Sequence, residues 1–356
     1  MLYKGINIFE GKPTDADTYR SDYVKGIQNY IERKCSAAGN ERYKLITEGD
    51  FVENQALYRQ RYRDMLGVDK ILSETGREAE CSFVCDDDVC SIYRLKVYIT
   101  SDIPMYAMLL LPFTEGVVPV VIAQHGGGGT PESCSDFDGK NNYNNMVQRV
   151  LERGAAVVAP QLLLWSLNEG EAFRAHNIPY DRQKIDEKLK HIGLSITGLE
   201  VAGIIRCIDY VSSLPKIDSE SMGMIGLSYG GYFTLHTMAA DERIKVGYSA
   251  GCFNDRNVYD WSDWCYSGSA LTFHDAEVAA LCAPRPLYVS VGRTDEVFNY
   301  ETAIPEAERA KDYYSALCCE ENFHFSVWEG GHTVEDSDIG YDFLFNSLKG
   351  KKICTE

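Results

Sequence analysis

Gly226-Leu227-Ser228-Tyr229-Gly230 stands between the apolar run from Met222 to Gly226 and a stretch, Gly230 to Ala240, that can continue as a helix. A serine with glycine two residues away on each side, at a strand-to-helix junction, suits a sharp turn where neighbouring side chains would collide. The same five-position pattern recurs at Gly247-Tyr248-Ser249-Ala250-Gly251, so context must choose between the two. Cys252-Phe253-Asn254-Asp255-Arg256-Asn257, which follows Ser249, has loop composition and no helix start, so Ser249 reads as structural. Ser228 is the candidate nucleophile.

A serine hydroxyl is a weak nucleophile near neutral pH unless a base takes its proton and a carboxylate orients that base. Downstream of Ser228, Pro286 to Gly292 reads as a buried strand followed by Asp295, with Glu296 and Asp255 as rivals for the acid role. His332 follows the strand-like run Phe323 to Trp328, inside Glu329-Gly330-Gly331-His332. The chain order serine, acid, histidine is that of the α/β-hydrolase fold, not of the chymotrypsin or subtilisin arrangements. An oxyanion needs backbone N–H donors, one of them expected from Tyr229. The glycine run His125-Gly126-Gly127-Gly128-Gly129, after the strand candidate Val117 to Gln124, can supply the second from Gly126 or Gly127. That run lacks the Lys-Ser/Thr ending of a P-loop and the spacing of a dinucleotide fingerprint. His125, His236 and His324 read as hydrogen-bonded structural residues.

With Ile208-Asp209-Tyr210-Val211, Leu214 to Asp218 and Ala283-Pro284-Arg285-Pro286-Leu287, these features resemble the dienelactone hydrolase and acetyl xylan esterase-like group of α/β-hydrolases. The resemblance runs from about Lys96 to about Leu348. It implies a serine esterase acting through Ser228, His332 and Asp295 on small acyl esters, acetylated carbohydrates first, with no metal or organic cofactor. Dienelactone hydrolases proper use cysteine where Ser228 stands, which shifts the implied chemistry toward ordinary ester hydrolysis. Gln161 stands where relatives often carry an acid. Gly226 to Tyr232 is also similar to the nucleophile region of prolyl oligopeptidase-type peptidases. Those enzymes carry a β-propeller before the hydrolase domain, whereas about 90 residues of helical patterning stand here. A peptidase or amidase, or a non-catalytic binding protein on the same scaffold, are the alternatives.

The 356 residues, 45% of them hydrophobic, suffice for a substantial core in one or two domains. A formal charge of −18 argues against nucleic acid or anionic membrane as partner and favours a neutral small-molecule ester. Arg174, Arg182, Arg256 or Arg293 could still receive an acidic group. No run reaches transmembrane length, and Met1 to Glu10 lacks the core of a signal peptide, so a cytoplasmic location is expected. Twelve scattered cysteines without such a signal fit reduced thiols. Cys81, Cys85 and Cys90 lack paired C-x-x-C spacing and a nearby histidine, so no metal site is expected.

Two units are expected along the chain. Residues 1–78 form a helical extension, with Tyr23, Ile27, Tyr30 and Ile31 on one helical face. Phe51, Leu57, Tyr58, Tyr62 and Met65 lie on a second helix ending near Gly67. The extension should pack as an appendage and is a candidate homo-oligomer contact. Residues 79–356 form the hydrolase domain, opening with antiparallel strands and continuing as alternating strands and helices. That alternation implies a mostly parallel central sheet with helices on both faces. Two lid-like insertions, 161–194 with Trp165 and 252–275 with Trp261 and Trp264, are expected to line the substrate pocket.

Overall fold

The structure, a computed structural model, describes residues 2–3, 6–7, 13–137, 139, 141–163 and 180–350. A short antiparallel pair, β1 (Leu2–Tyr3) and β2 (Ile6–Asn7), precedes helices α1 (Pro13–Thr47), α2 (Asp50–Leu66) and α3 (Val68–Leu72). The central sheet contains β3 (Glu80–Asp86), β4 (Cys90–Tyr98), β5 (Pro104–Pro112), β6 (Val118–Gln124), β7 (Ala156–Pro160), β8 (Ile217–Leu227), β9 (Val246–Ala250), β10 (Leu287–Gly292) and β11 (Phe323–Trp328). Around it lie α4 (Pro131–Cys134), α5 (Met146–Leu151), α6 (Arg182–His191), α7 (Ile196–Ser212), α8 (Tyr229–Ala240), α9 (Ser269–Thr272), α10 (Asp275–Cys282), α11 (Tyr300–Ala316) and α12 (Ile339–Leu348).

The strand order is β11-β10-β9-β8-β6-β7-β5-β4-β3. From β11 to β7 every pair is parallel, while β5, β4 and β3 add an antiparallel edge. Alternation along the strands divides the core between the two faces, because successive side chains point to opposite sides. Val120 and Ile122 join the cluster beneath α7, α8 and α10, whereas Val121 and Ala123 join the one beneath α5 and α12. This is the α/β-hydrolase fold. From β6 the chain steps to β7 on one side and returns to β8 on the other. That places a topological switch point, the usual ligand crevice of such sheets, at the carboxyl ends of β6 and β8.

The N-terminal helices depart from the expected appendage. Gly67, at φ 78°, closes α2 by donating to the Arg63 carbonyl and turns the chain into α3. Phe51, Tyr62 and Leu66 of α2 and Val68 and Ile71 of α3 are buried in the same cluster as α7 and α8. These two helices are therefore a layer of the hydrolase core. The apolar face of α1 behaves oppositely, with Tyr23 73% and Tyr30 53% exposed and Ile27 and Ile31 beside them. At 1.5 Å per residue α1 is about 50 Å long, and among its described side chains the buried ones are Ala38 and Arg42, in the C-terminal half. Among the described residues no single helix is long and apolar enough to cross a membrane.

Candidate active site

Strand register brings the site together. Gln124 pairs with Gly226 across β6 and β8, so the His125 to Gly129 loop and the Ser228 turn leave the sheet side by side. Gly292 pairs with Trp328 across β10 and β11, so the loops carrying Asp295 and His332 also emerge as neighbours.

Ser228 has φ 58° and ψ −121°, a conformation that an L residue adopts only under strain, at a cost of about 1–3 kcal/mol. Its N–H donates to the Ala250 carbonyl at 2.8 Å, and its own carbonyl accepts from Tyr232 N–H at 2.9 Å in the first turn of α8. The flanking glycines are steric necessities. A Cβ on Gly226 would overlap the Gly230 backbone, and one on Gly230 would overlap the Gln124 carbonyl. The serine thus caps the N-terminus of a 12-residue helix, where the backbone dipole favours negative charge.

The side chain of Asp295 is fully buried and that of His332 is 13% exposed. One carboxylate oxygen of Asp295 lies 2.9 Å from His332 Nδ1, and the other accepts from Val297 and Phe298 N–H at 2.8 and 2.9 Å. A carboxylate so placed holds the proton on Nδ1 and leaves Nε2 with a lone pair. Asp255 instead accepts from the backbone and side chain of Asn257. Of the three candidate acids, Asp295 is the one hydrogen-bonded to His332.

A cavity of about 380 Å³ opens here, its wall including Gly126, Gly127, Asn142, Tyr143, Ser228 and His332. Tyr229 opens α8 immediately after the serine. Gly126 and Gly127 differ in a way the sequence leaves open. Gly126 N–H donates to the Tyr143 hydroxyl at 2.7 Å, while Gly127 N–H meets no acceptor among the described residues. Asn142 donates its side-chain amide to the His332 carbonyl at 3.3 Å and accepts from Val334 N–H, tying the histidine loop to the far wall. Sequence reasoning missed Asn142 and Tyr143. The available signal was the polar run Asn141-Asn142-Tyr143-Asn144-Asn145, downstream of the glycine loop.

Other expectations fall differently. Trp261 and Trp264 do not line the cavity at Ser228. Trp264 is buried against Tyr229, Tyr232 and Phe298, with ring centroids at 5.6, 4.7 and 5.6 Å, and Trp261 packs edge-on to Trp264. Stacking on neighbours already present removes their faces from the pocket. Trp165 and Arg174 lie outside the described residues. Arg182, Arg256 and Arg293 are paired with Asp263, Asp275 and Glu329, so none is an uncommitted receptor for an acidic group. Ser249 is buried within β9 and donates to the Gly231 carbonyl. His125 is likewise structural. Its Nε2 accepts from Leu162 N–H at 2.9 Å, so its Nδ1–H donates to the Gly126 carbonyl at 2.7 Å, and burial pushes its pKa down to about 4. Buried His236 contacts the Tyr62 hydroxyl. Among the described residues there is no cluster of three or more histidine, cysteine or acidic side chains able to hold a metal.

Fold and site together give the chain the α/β-hydrolase fold with a serine at its strand-to-helix elbow. The sequence profile of the prolyl oligopeptidase family matches residues 191–277, which run from before α7 into α10. YtaP of Bacillus subtilis (strain 168), named as a hydrolase with no substrate stated, is 26% identical over 228 residues, 57% of this chain and 72% of YtaP. Among solved structures, Methylesterase BT1017 superposes with a TM-score of 0.65 at 17% identity, over 88% of this chain and 69% of that one. Acetyl Xylan Esterase 1 from Thermoanaerobacterium sp. JW/SL YS485 does so with a TM-score of 0.53 at 18% identity, over 83% and 94% of the two chains. At such identities the structural likeness is one of fold.

Proposed function

We propose that the protein is a serine carboxylic-ester hydrolase acting on small acyl esters, with acetylated carbohydrates as the first substrate class. The observation that carries this reading is the Asp295–His332 hydrogen bond in the loop beside a strained Ser228, with both Ser228 and His332 on one cavity. Nε2 of His332 takes the Ser228 proton as the hydroxyl oxygen attacks the ester carbonyl, and Asp295 stabilises the resulting imidazolium. The backbone N–H groups of Tyr229 and Gly127 receive the oxyanion, and Gly126 is held by Tyr143 as part of the same loop. The imidazolium protonates the departing alcohol. The acyl-enzyme is then cleaved by a water that His332 deprotonates, releasing the acid and restoring Ser228. Similarity in fold to a methylesterase and an acetyl xylan esterase supports an ester substrate on a carbohydrate.

The test is hydrolysis of p-nitrophenyl acetate and peracetylated xylose by wild type and Ser228→Ala. Turnover on acetyl esters that falls by about a thousandfold or more in the variant supports the reading. Activity untouched by the substitution sinks it. The prolyl oligopeptidase profile match favours one rival, cleavage of amides. A matched aminoacyl amide cleaved as fast as its ester would make that rival the better description.

A further inference from the structure

We infer a second ligand site, separate from the Ser228 cavity, that takes a neutral, oxygen-rich ring compound the size of a mono- or disaccharide. A cavity of about 570 Å³ lies between the C-terminal half of α1, the middle of α8 and the segment 256–275. It shares no lining residue with the cavity at Ser228. Tyr229, next to the serine, stacks on Trp264, and Trp264 belongs to the wall of the second cavity, so an aromatic layer divides the two. The volume falls within the range of about 300–1,000 Å³ usual for small-molecule sites.

The chemistry of the wall selects the ligand class. Its cations are already neutralised. Arg256 donates through Nε and Nη2 to the two oxygens of Asp275 at 2.7 and 2.5 Å, and Arg42 lies 3.3 Å from Glu277. Glu32 and Asp260 also line the cavity, so an anionic guest would meet repulsion without a free countercharge. Hydrogen-bond donors, by contrast, are in surplus. Arg256 Nη1 and Trp264 Nε1 are buried N–H groups with no acceptor among the described residues. Arg42 Nη2 contacts His274 Nδ1 at 3.3 Å, and since a guanidinium can only donate, that nitrogen carries the lone pair. The His274 proton therefore sits on Nε2, which also lacks a partner. Burial, with Arg42, Arg309 and Arg256 nearby, pushes the His274 pKa down to about 3, so the ring stays neutral at ordinary pH. Buried donors left unmade cost about 1–3 kcal/mol each, and a guest rich in acceptor oxygens is what such a set lacks. Ile31, Tyr266 and Phe273 stand in the same wall and supply the apolar surface that the C–H face of a sugar ring packs against.

The experiment titrates the full-length protein with xylobiose and cellobiose, read by saturation-transfer NMR and by tryptophan fluorescence, which Trp264 should report. Three variants run beside the wild type. Gly39→Trp and Ser36→Trp fill the second cavity from α1, where a Cβ on Gly39 meets nothing nearer than Arg42 Nη2 at 3.8 Å. Val297→Trp narrows the cavity at Ser228 instead. Two independent fillings, each checked by circular dichroism, keep the test open if one misfolds. The expected result is saturable binding with Kd on the order of 1 mM, weakened about tenfold or more by either filling and retained in Val297→Trp. Absence of saturable binding overturns the inference. So does binding that survives both fillings but is lost in Val297→Trp, which would place the sugar at Ser228, or preference for glucuronate over the neutral sugars. None of these outcomes depends on whether Ser228 turns over an ester.

Discussion

His332 and Asp295 are joined 2.9 Å apart, and the carboxylate has no oxygen to spare, because its second one is held by the N–H groups of Val297 and Phe298. The acid is thus fixed by the turn that carries it, and the histidine is fixed by the acid.

Asp295→Asn tests that relationship. Its carbonyl oxygen can still accept from Val297 and Phe298, but its NH₂ would confront His332 and push the ring into the tautomer that cannot deprotonate Ser228. We expect kcat to fall about 10⁴-fold with the melting temperature little changed. A variant within about tenfold of wild type would show that another base or acid serves the reaction.

Tyr143→Phe removes the acceptor of Gly126 N–H beside the cavity. An orphaned buried amide should cost about 1–3 kcal/mol of stability in urea unfolding. Because the loop amides act on the developing oxyanion, kcat should fall more than KM rises. Unchanged stability together with unchanged kcat would remove Tyr143 from the site.

Two glycines give opposite outcomes on replacement by alanine. At Gly230 the added carbon would overlap the Gln124 carbonyl oxygen and lie 2.8 Å from that of His125. The loss should be about 4 kcal/mol or more, or no soluble protein at all. At Gly26, in α1, the added carbon meets nothing within 4 Å, and the helix should gain about 0.5–1 kcal/mol. Thermal melts of the two variants settle whether the elbow is as tight as its geometry demands.

Acid should unfold the protein through its buried histidines. His125 has a folded pKa near 4 against an ordinary 6.5, so between those values the unfolded chain binds a proton that the native state refuses. Its contribution is present above pH 6.5 and is lost as pH falls toward 4, by about 3 kcal/mol in total. His274, near 3, and His236 act in the same direction. Urea midpoints at about pH 7 and about pH 4.5 should differ for wild type, and His125→Gln should reduce the difference. An equal slope in both proteins would sink the assignment.

Much of this was legible along the chain, because it depends on short-range physics. The turn at Ser228 tolerates only glycine on either side, so Gly226 and Gly230 announce it within five residues. Apolar runs of strand length mark β6, β8, β10 and β11, and the candidate residues follow those runs in the order Ser228, Asp295, His332. The apolar face of α2 is visible in the spacing of Phe51, Tyr58 and Tyr62, but its place as a layer of the core is not.

What stayed hidden depends on which distant segments end side by side. Gly126 and Gly127 look alike in sequence and part company only because Tyr143 folds back onto one of them. Trp261 and Trp264 have the composition of a wall for the Ser228 cavity, yet Trp264 is stacked on Tyr229, Tyr232 and Phe298 and Trp261 packs edge-on beside it, so neither reaches that cavity. The apolar stripe of α1 reads as a contact face and stands in solvent, since α1, about 50 Å long, buries among its described side chains only Ala38 and Arg42 of its C-terminal half. Residue type and backbone sterics, both local matters, are enough to mark the candidate residues and the turn that presents Ser228. The neighbours of those residues come from the fold, because parallel register and side-chain stacking are set by contacts between residues far apart in the chain.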